Sequence, residues 1–199
     1  MLYEHLGASP RIHPGAVVAP SAVISGDVTI GDGCQVLHGA VITAEGGPVT
    51  LGDHVIVMEN ALVRASGAHP VRIGSHVLVG PLASVAGATI ADEVFLATGT
   101  RTFNGARIGA RSEVRVNGVV HLRTVLPEES VVPIGWVAVG DPAEILPPER
   151  HDRIWELQHD LDFPGFVFGL DRDTPDLMVQ LTERYGSALA RHARDRPAG

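Results

Sequence analysis

Four charged or titratable side chains carry most of the chemistry that this sequence offers. Arg64, in 62-LVRASG-67, has a guanidinium that stays protonated and can hold a carboxylate, a phosphate or bicarbonate through paired hydrogen bonds. Glu59 and Glu45 are its candidate acidic partners. His69, in 67-GAHP-70, titrates near neutral pH and is a candidate general base, although a solvated loop histidine is the simpler interpretation. We therefore take Arg64, Glu59 and His69 as candidate catalytic residues of an anion site.

Two further histidines stand at equivalent places, in 52-GDH-54 and 74-GSH-76. His54 and His76 could form a metal pair. They could equally be turn residues that tolerate a left-handed backbone, because Gly33 occupies the same place one repeat earlier. We favour the turn interpretation.

The composition excludes several classes of function. The net charge of -8 argues against a nucleic-acid partner, which requires clustered basic residues. All fifteen basic residues are arginine, so Schiff-base chemistry through lysine is excluded. Cys34 is the only cysteine, which leaves no internal disulfide and favours a reducing, cytoplasmic compartment. We see neither a signal peptide nor an apolar run long enough to span a membrane, and we expect no membrane partner.

An aliphatic residue that returns every six positions must position these groups. This period fits neither an amphipathic helix nor an alternating strand. It fits a coil with three flat faces, one repeat per face and about eighteen residues per turn, whose aliphatic side chains point inward. Coils would stack at the strand spacing of about 4.8 Å. The inward positions are Ile12, Val18, Ile24, Ile30, Val36, Ile42, Leu51, Val57, Val63, Ile73, Val79, Val85, Ile90, Leu96, Ile108, Val114, Val120, Leu126 and Val132, and Thr102 is the one polar interruption.

The repeat predicts a mainly β protein with two parts, a parallel β-helix over 11–142 and a helical extension over 143–199. The segment 143–162 has the periodicity of a helix, and a second helix is expected over 175–193. One face of this second helix would carry an apolar stripe of Met178, Leu181, Tyr185 and Leu189. In the coil, Arg64 and Ala86 share one column on adjacent turns, and Phe103 continues that column. Pro81 falls on a different face.

The repeats, the loop at 64–73, the residue dropped before Ile90 and the ending 135-GWVAVGDPAEIL-146 together resemble the γ-class carbonic anhydrases. The resemblance covers roughly 11–150. It implies a left-handed parallel β-helix, a homotrimer, and a zinc ion held by three histidines at the subunit boundary.

This chain departs from the family at each of those zinc ligands. The three histidine positions are Arg64, Pro81 and Ala86, and none of these side chains offers an electron pair to a metal. The supporting residues differ as well, since 43-TAE-45 and 56-IVME-59 replace the polar runs of the family. We therefore expect no metal site, no zinc cofactor and no carbonic anhydrase activity.

The same substitutions indicate a cleft that has been given another task. Phe103 and Ala86 would make it more apolar and roomier than a zinc site, as an organic ligand requires. We take Glu45, Pro81, Ala86 and Phe103 as candidate substrate-binding residues for a small anionic or acylated molecule.

Two alternatives stay open at this point. In the first, a salt bridge from Arg64 to glutamate only holds a trimer, which acts as a scaffold through its helical tail. In the second, the chain is a CoA-dependent acyltransferase of the hexapeptide-repeat type with His69 as its catalytic base.

Overall fold

Each six-residue repeat forms one short strand of a three-sided β-helix. The structure is a computed structural model that describes residues 1–198. Its strands, in chain order, are β1 (Leu2–Glu4), β2 (Arg11–Ile12), β3 (Val17–Val18), β4 (Val23–Ser25), β5 (Val28–Ile30), β6 (Gln35–Val36), β7 (Val41–Glu45), β8 (Val49–Leu51), β9 (Ile56–Val57), β10 (Leu62–Ser66), β11 (Val71–Ile73), β12 (Leu78–Val79), β13 (Ser84–Ala86), β14 (Thr89–Ile90), β15 (Phe95–Leu96), β16 (Arg101–Thr102), β17 (Arg107–Ile108), β18 (Glu113–Val114), β19 (Val119–Val120), β20 (Val125–Leu126), β21 (Val131–Val132), β22 (Val137–Val139), β23 (Glu144–Leu146) and β24 (Arg196–Pro197).

Successive strands fall on successive faces of the prism. Across residues 1–198 they form sheets of ten, seven and seven strands. The first sheet runs β23-β22-β19-β16-β13-β10-β7-β4-β1-β24, the second β2-β5-β8-β11-β14-β17-β20, and the third β3-β6-β9-β12-β15-β18-β21. The pairs β1–β24 and β22–β23 are antiparallel, and the strands between them pair in parallel. The predicted parallel β-helix is confirmed.

The core of the prism consists of the side chains that define the repeat. From Ile24 to Val132, each predicted inward residue is at most 3% exposed. Thr102 is as buried as its aliphatic neighbours, at 2%. Burying this continuous column of Val, Ile and Leu is the main favourable contribution to folding, because each fully buried aliphatic side chain contributes about 1.5–3 kcal/mol.

The corner histidines have the backbone conformation expected of turn residues. The φ angles of His54 and His76 are 55° and 58°, and Gly33 in the same column has a φ of 64°. The two imidazole rings stack with their centroids 5.1 Å apart. The turn interpretation is confirmed at all three positions.

The helical tail is shorter than the sequence pattern indicates. Its helices are α1 (His151–His159) and α2 (Leu177–Leu189), with short helical turns at Pro148–Arg150, Pro164–Phe168 and Ala190–Arg194. The prediction of helix from residue 143 was wrong at its start, because β23 pairs antiparallel with β22 instead. None of the helices within residues 1–198 combines the length and apolar character needed to cross a membrane.

The tail runs back along the prism and ends beside the first strand of the chain. Tyr3 pairs with Pro197 and Glu4 with Arg196, so β24 covers an edge of the first sheet that would otherwise be open. The two ends of the described chain therefore meet.

Candidate ligand-binding site

The column predicted from the repeat exists on the first sheet. Arg64 lies in register with Ala86 on one neighbouring strand and with Thr43 on the other. Phe103 follows β16, and its ring lies 5.6 Å from the ring of His121 one coil further on. Because residues in register on parallel strands are one strand spacing apart, these side chains present one continuous outer surface.

The C-terminal tail forms the opposite wall of a cavity above this surface. Arg64 donates a hydrogen bond through Nη2 to the hydroxyl of Tyr185 in α2, and its guanidinium carbon lies 5.7 Å from the centre of that ring. Phe168 packs edge-on against Tyr185 with ring centres 5.6 Å apart. The cavity between the sheet and the tail has a volume of about 430 Å³ and is partly open to solvent.

Four of the candidate residues come together in this cavity. Glu45, Arg64, Ala86 and Phe103 line its floor, and Tyr185 and Phe168 line the side formed by the tail. Since Leu181 and Leu189 also line the cavity, the predicted apolar stripe of α2 faces it. Met178, which the helical pattern assigned to the same stripe, is 63% exposed and does not line the cavity.

The charge of the cavity lining is positive although the whole chain is acidic. Arg64, Arg184 and Arg191 line the cavity, with Glu45 as the acidic residue among the lining side chains of residues 1–198. The guanidinium of Arg184 donates to the carbonyl oxygen of Gly169 at 3.2 Å, and that of Arg191 donates to the carbonyl oxygen of Ala188. This lining favours an anion at the cavity.

Glu45 is held by groups on three sides and is 12% exposed at its side chain. The hydroxyl of Thr43 donates to its Oε1 at 3.1 Å, and Nε2 of His192 lies 2.9 Å from both carboxylate oxygens. Nη2 of Arg64 is 3.7 Å from Oε1, so the two side chains form an ion pair without a direct hydrogen bond. The Glu45 carboxylate is therefore fixed at the cavity wall by Thr43 and His192. The guanidinium of Arg64 keeps N–H donors for another acceptor.

His69 is buried beneath the tail, so the interpretation as a solvated loop histidine was wrong. It is 9% exposed, and its Nε2–H donates to the carbonyl oxygen of Phe166 at 3.0 Å. The two rings pack with centroids 4.5 Å apart. A hydrogen bond to a carbonyl fixes the proton on Nε2, and the imidazole fastens the 163–170 segment to the prism.

Glu59 and Pro81 lie outside the cavity lining. Both occupy the corner that precedes a strand of the first sheet, where the N–H of Leu82 donates to the carbonyl of Glu59 and that of Gly99 to the carbonyl of Pro81. The Glu59 side chain points to solvent. The sequence placed Tyr185 on the apolar stripe of α2 but not in the site. Nothing in the repeat or the helical pattern indicated that Arg184 and Arg191 line the cavity.

A zinc ion of the γ-class type does not fit the seam, the three positions Arg64, Pro81 and Ala86 at which the resemblance places histidines. Pro81 and Ala86 carry no side-chain donor atom. Arg64 uses its protonated guanidinium to donate to Tyr185. These three side chains therefore cannot form the ligand set of a γ-class zinc ion.

Comparison with known proteins agrees with the fold and with the resemblance. The family profile "Bacterial transferase hexapeptide (six repeats)" matches residues 9–44. Gamma carbonic anhydrase 1, mitochondrial, from Arabidopsis thaliana is 31% identical over 144 residues, which cover 69% of this chain and 50% of that protein. Gamma carbonic anhydrase 2, mitochondrial, from the same plant is 28% identical with the same coverage.

Among solved structures, a putative acetyltransferase from Bacillus cereus superposes with a TM-score of 0.55. It is 18% identical, and the match covers 92% of this chain and 96% of that one, which shows the shared fold alone. The chain spans about half the length of the two plant proteins. This chain is a γ carbonic anhydrase-like protein of the hexapeptide-repeat type.

Proposed function

We propose that this protein binds a small organic anion, with a carboxylate or an acidic acyl group, in the cavity between the first sheet and the tail. The observation that carries the proposal is the position of Arg64 at the floor of a largely apolar cavity. The volume of about 430 Å³ suits a small ligand, since pockets for such molecules span roughly 300–1,000 Å³.

The free donors of Arg64 suit an anionic group. A guanidinium has five N–H donors, and within residues 1–198 its side-chain hydrogen bond goes to Tyr185. A carboxylate can accept two parallel hydrogen bonds from the remaining donors, which is the strongest geometry available to this pair. Phe103, Ala86 and Phe168 would then contact the apolar part of the ligand.

The proposal includes the expectation that the seam holds no zinc and therefore does not catalyse CO₂ hydration. CO₂ hydration by this family needs a hydroxide bound to a metal, and neither Arg64 nor Ala86 can serve as a metal ligand. Stopped-flow measurement of CO₂ hydration by protein supplied with zinc should give the uncatalysed rate. Turnover that disappears in Arg64→Met would contradict this part of the proposal.

A paired set of probes tests anion binding. Metal-free protein is titrated calorimetrically with hexanoate and with hexanamide, which has the same chain without the charge. We expect saturable binding of hexanoate and at least tenfold weaker binding of hexanamide, because the amide cannot form a charge-assisted pair with Arg64.

Substitution of one arginine at a time assigns the interaction. Arg64→Met removes the charge but keeps an unbranched side chain, and we expect it to weaken hexanoate at least tenfold. Arg72→Met is the matched control, because Arg72 is an exposed arginine of β11 on the second sheet. Equal affinity for acid and amide, or equal binding by both variants, would refute the proposal.

The trimer remains part of the proposal. The resemblance implies a homotrimer with a site at the subunit boundary, whereas one chain supplies both walls of the cavity described above. Sedimentation equilibrium of the full chain is expected to give a mass of three chains. A monomer that still binds hexanoate would separate the binding site from the assembly.

The acyltransferase alternative finds no support at His69. Its Nε2–H is used by the Phe166 carbonyl and its ring is covered by Phe166, so the imidazole faces the tail. Acyl-CoA esters serve as a further set of probes in the same calorimetric experiment.

A further inference from the structure

A second cluster of polar side chains lies where the two ends of the chain meet. His5 follows β1, Asp195 immediately precedes β24, and His192 lies in the helical turn before Asp195. The antiparallel pairing of β1 with β24 brings these residues together although about 190 positions separate them in the sequence. The cluster is separate from the positions to which the family resemblance assigns zinc ligands.

Three ligand atoms in this cluster converge. Nδ1 of His5 lies 2.6 Å from Oδ1 of Asp195, and Nδ1 of His192 lies 2.7 Å from Oδ2. The imidazoles stack with centroids 4.3 Å apart, and one donor atom from each of the three residues lies within 4.8 Å of the others. Among residues 1–198, this is the one group of three such side chains that meets that condition.

The surroundings resemble those of a metal ligand set. Nδ1 of His192 faces Asp195 and its Nε2 faces Glu45, so the two ring nitrogens have different carboxylate partners. Nε2 of His192 lies 2.9 Å from the Glu45 carboxylate, so a second acid orients this imidazole from behind. Histidines that bind metals commonly donate their other N–H to such a carboxylate, which fixes the ring and its tautomer.

Burial is graded across the cluster. The side chain of His5 is 2% exposed, that of Asp195 17% and that of His192 34%. The inner ligands are thus fixed by the protein while one side remains open to water, as in three-ligand sites that complete their coordination with solvent.

We propose that His5, His192 and Asp195 bind one Zn²⁺ ion, which fastens the C-terminal tail to the first strand. Two imidazole nitrogens and one carboxylate oxygen are a donor set for zinc or cobalt, and not for magnesium or calcium, which take oxygen ligands. Tetrahedral zinc with bonds of about 2.0–2.2 Å needs donors roughly 3.4 Å apart, so the two short contacts must open by less than about 1 Å.

The proposed ion has a structural consequence beyond the three ligands. Glu45 contacts His192 on one side and lies near Arg64 on the other, so the site shares a residue with the cavity wall. The proposed ligands are different residues from those of the seam. The proposed site therefore revises the expectation of a zinc-free protein. The expectation that the seam itself holds no zinc is unchanged.

The direct test is titration of chelator-treated full-length protein with Co²⁺ and then with Zn²⁺. We expect one equivalent of Co²⁺ per chain, with the intense visible absorption of four-coordinate cobalt, and loss of that absorption when zinc is added. His192→Gln and Asp195→Asn should each weaken zinc at least 100-fold. Glu45→Gln should weaken it about 10–100-fold, the range for residues that orient a ligand.

His76→Gln is the matched control, because the stacked pair of His54 and His76 has a similar ring contact outside the cluster. It should bind zinc as the wild type does. Circular dichroism of the metal-free variants checks folding, and the cobalt spectrum of the wild type needs no variant. Failure of the wild type to bind zinc or cobalt saturably overturns the proposal, as does full binding by Asp195→Asn and His192→Gln.

Discussion

Thr102 is the polar interruption in the column of inward aliphatic residues, and replacing it with valine should stabilise the protein. Thr102 lies in register between Val85 and Val120 and is 2% exposed. Within residues 1–198 its Oγ1 has no hydrogen-bond partner. Valine has nearly the same shape, so Thr102→Val exchanges a buried unsatisfied hydroxyl for a methyl group.

The size of the effect follows from the cost of leaving a polar group unpaired. A buried donor or acceptor without a partner costs about 1–3 kcal/mol. We expect Thr102→Val to raise the free energy of unfolding by about 1–2 kcal/mol. For a domain of this length, each kcal/mol raises the midpoint of thermal unfolding by about 2–4 °C.

Urea unfolding followed by circular dichroism measures the change, with an unchanged dependence on urea as the check that the unfolding transition is the same. Val120→Thr is the reciprocal control, because Val120 is fully buried one coil away in the same column. It should destabilise by about 1–3 kcal/mol. A Thr102→Val protein that is no more stable than the wild type would show that the hydroxyl has an acceptor, and would refute the reasoning.

Two further predictions concern the ionisation of buried groups. Burial lowers the pKa of His121, so the folded imidazole stays neutral while the unfolded one takes up a proton below its usual pKa of about 6.5. Stability should fall as the pH drops through that value and level off below the folded pKa, and His121→Phe should lose this part of the dependence; parallel unfolding curves for the two proteins between neutral and mildly acidic pH would contradict it. Burial also raises the pKa of the Cys34 thiol, which donates to the Gly52 carbonyl. Ellman's reagent should therefore react slowly with native protein and with one equivalent after unfolding, and rapid reaction of the native thiol would count against this assignment.

The prism was predictable from sequence because its information is local and repeated. An inward aliphatic residue every six positions fixes the strands, and corner residues such as His54 follow from the turn that each repeat requires. The alignment of Arg64 with Ala86 follows from the same period. These inferences needed only a count along the chain.

The tail was predictable only in part because its docking depends on contacts between distant residues. The periodicity of 143–162 indicates a helix, but β22 offers an open sheet edge that captures Glu144–Leu146 as β23. The contacts of His69 with Phe166 and of Arg64 with Tyr185 likewise join segments about a hundred residues apart. The side of the cavity that the tail forms could therefore not be predicted from the repeat.

The return of the tail to the first strand changes how this stack should unfold. In a linear array of coils each turn contacts only its neighbours, so the outermost turns can fray independently of one another. Here the tail leaves the prism after β23 and pairs through β24 with β1. Loosening of either terminal coil therefore disturbs a tail that is anchored at the other end of the prism. We expect the coils to unfold more cooperatively than those of an open linear array.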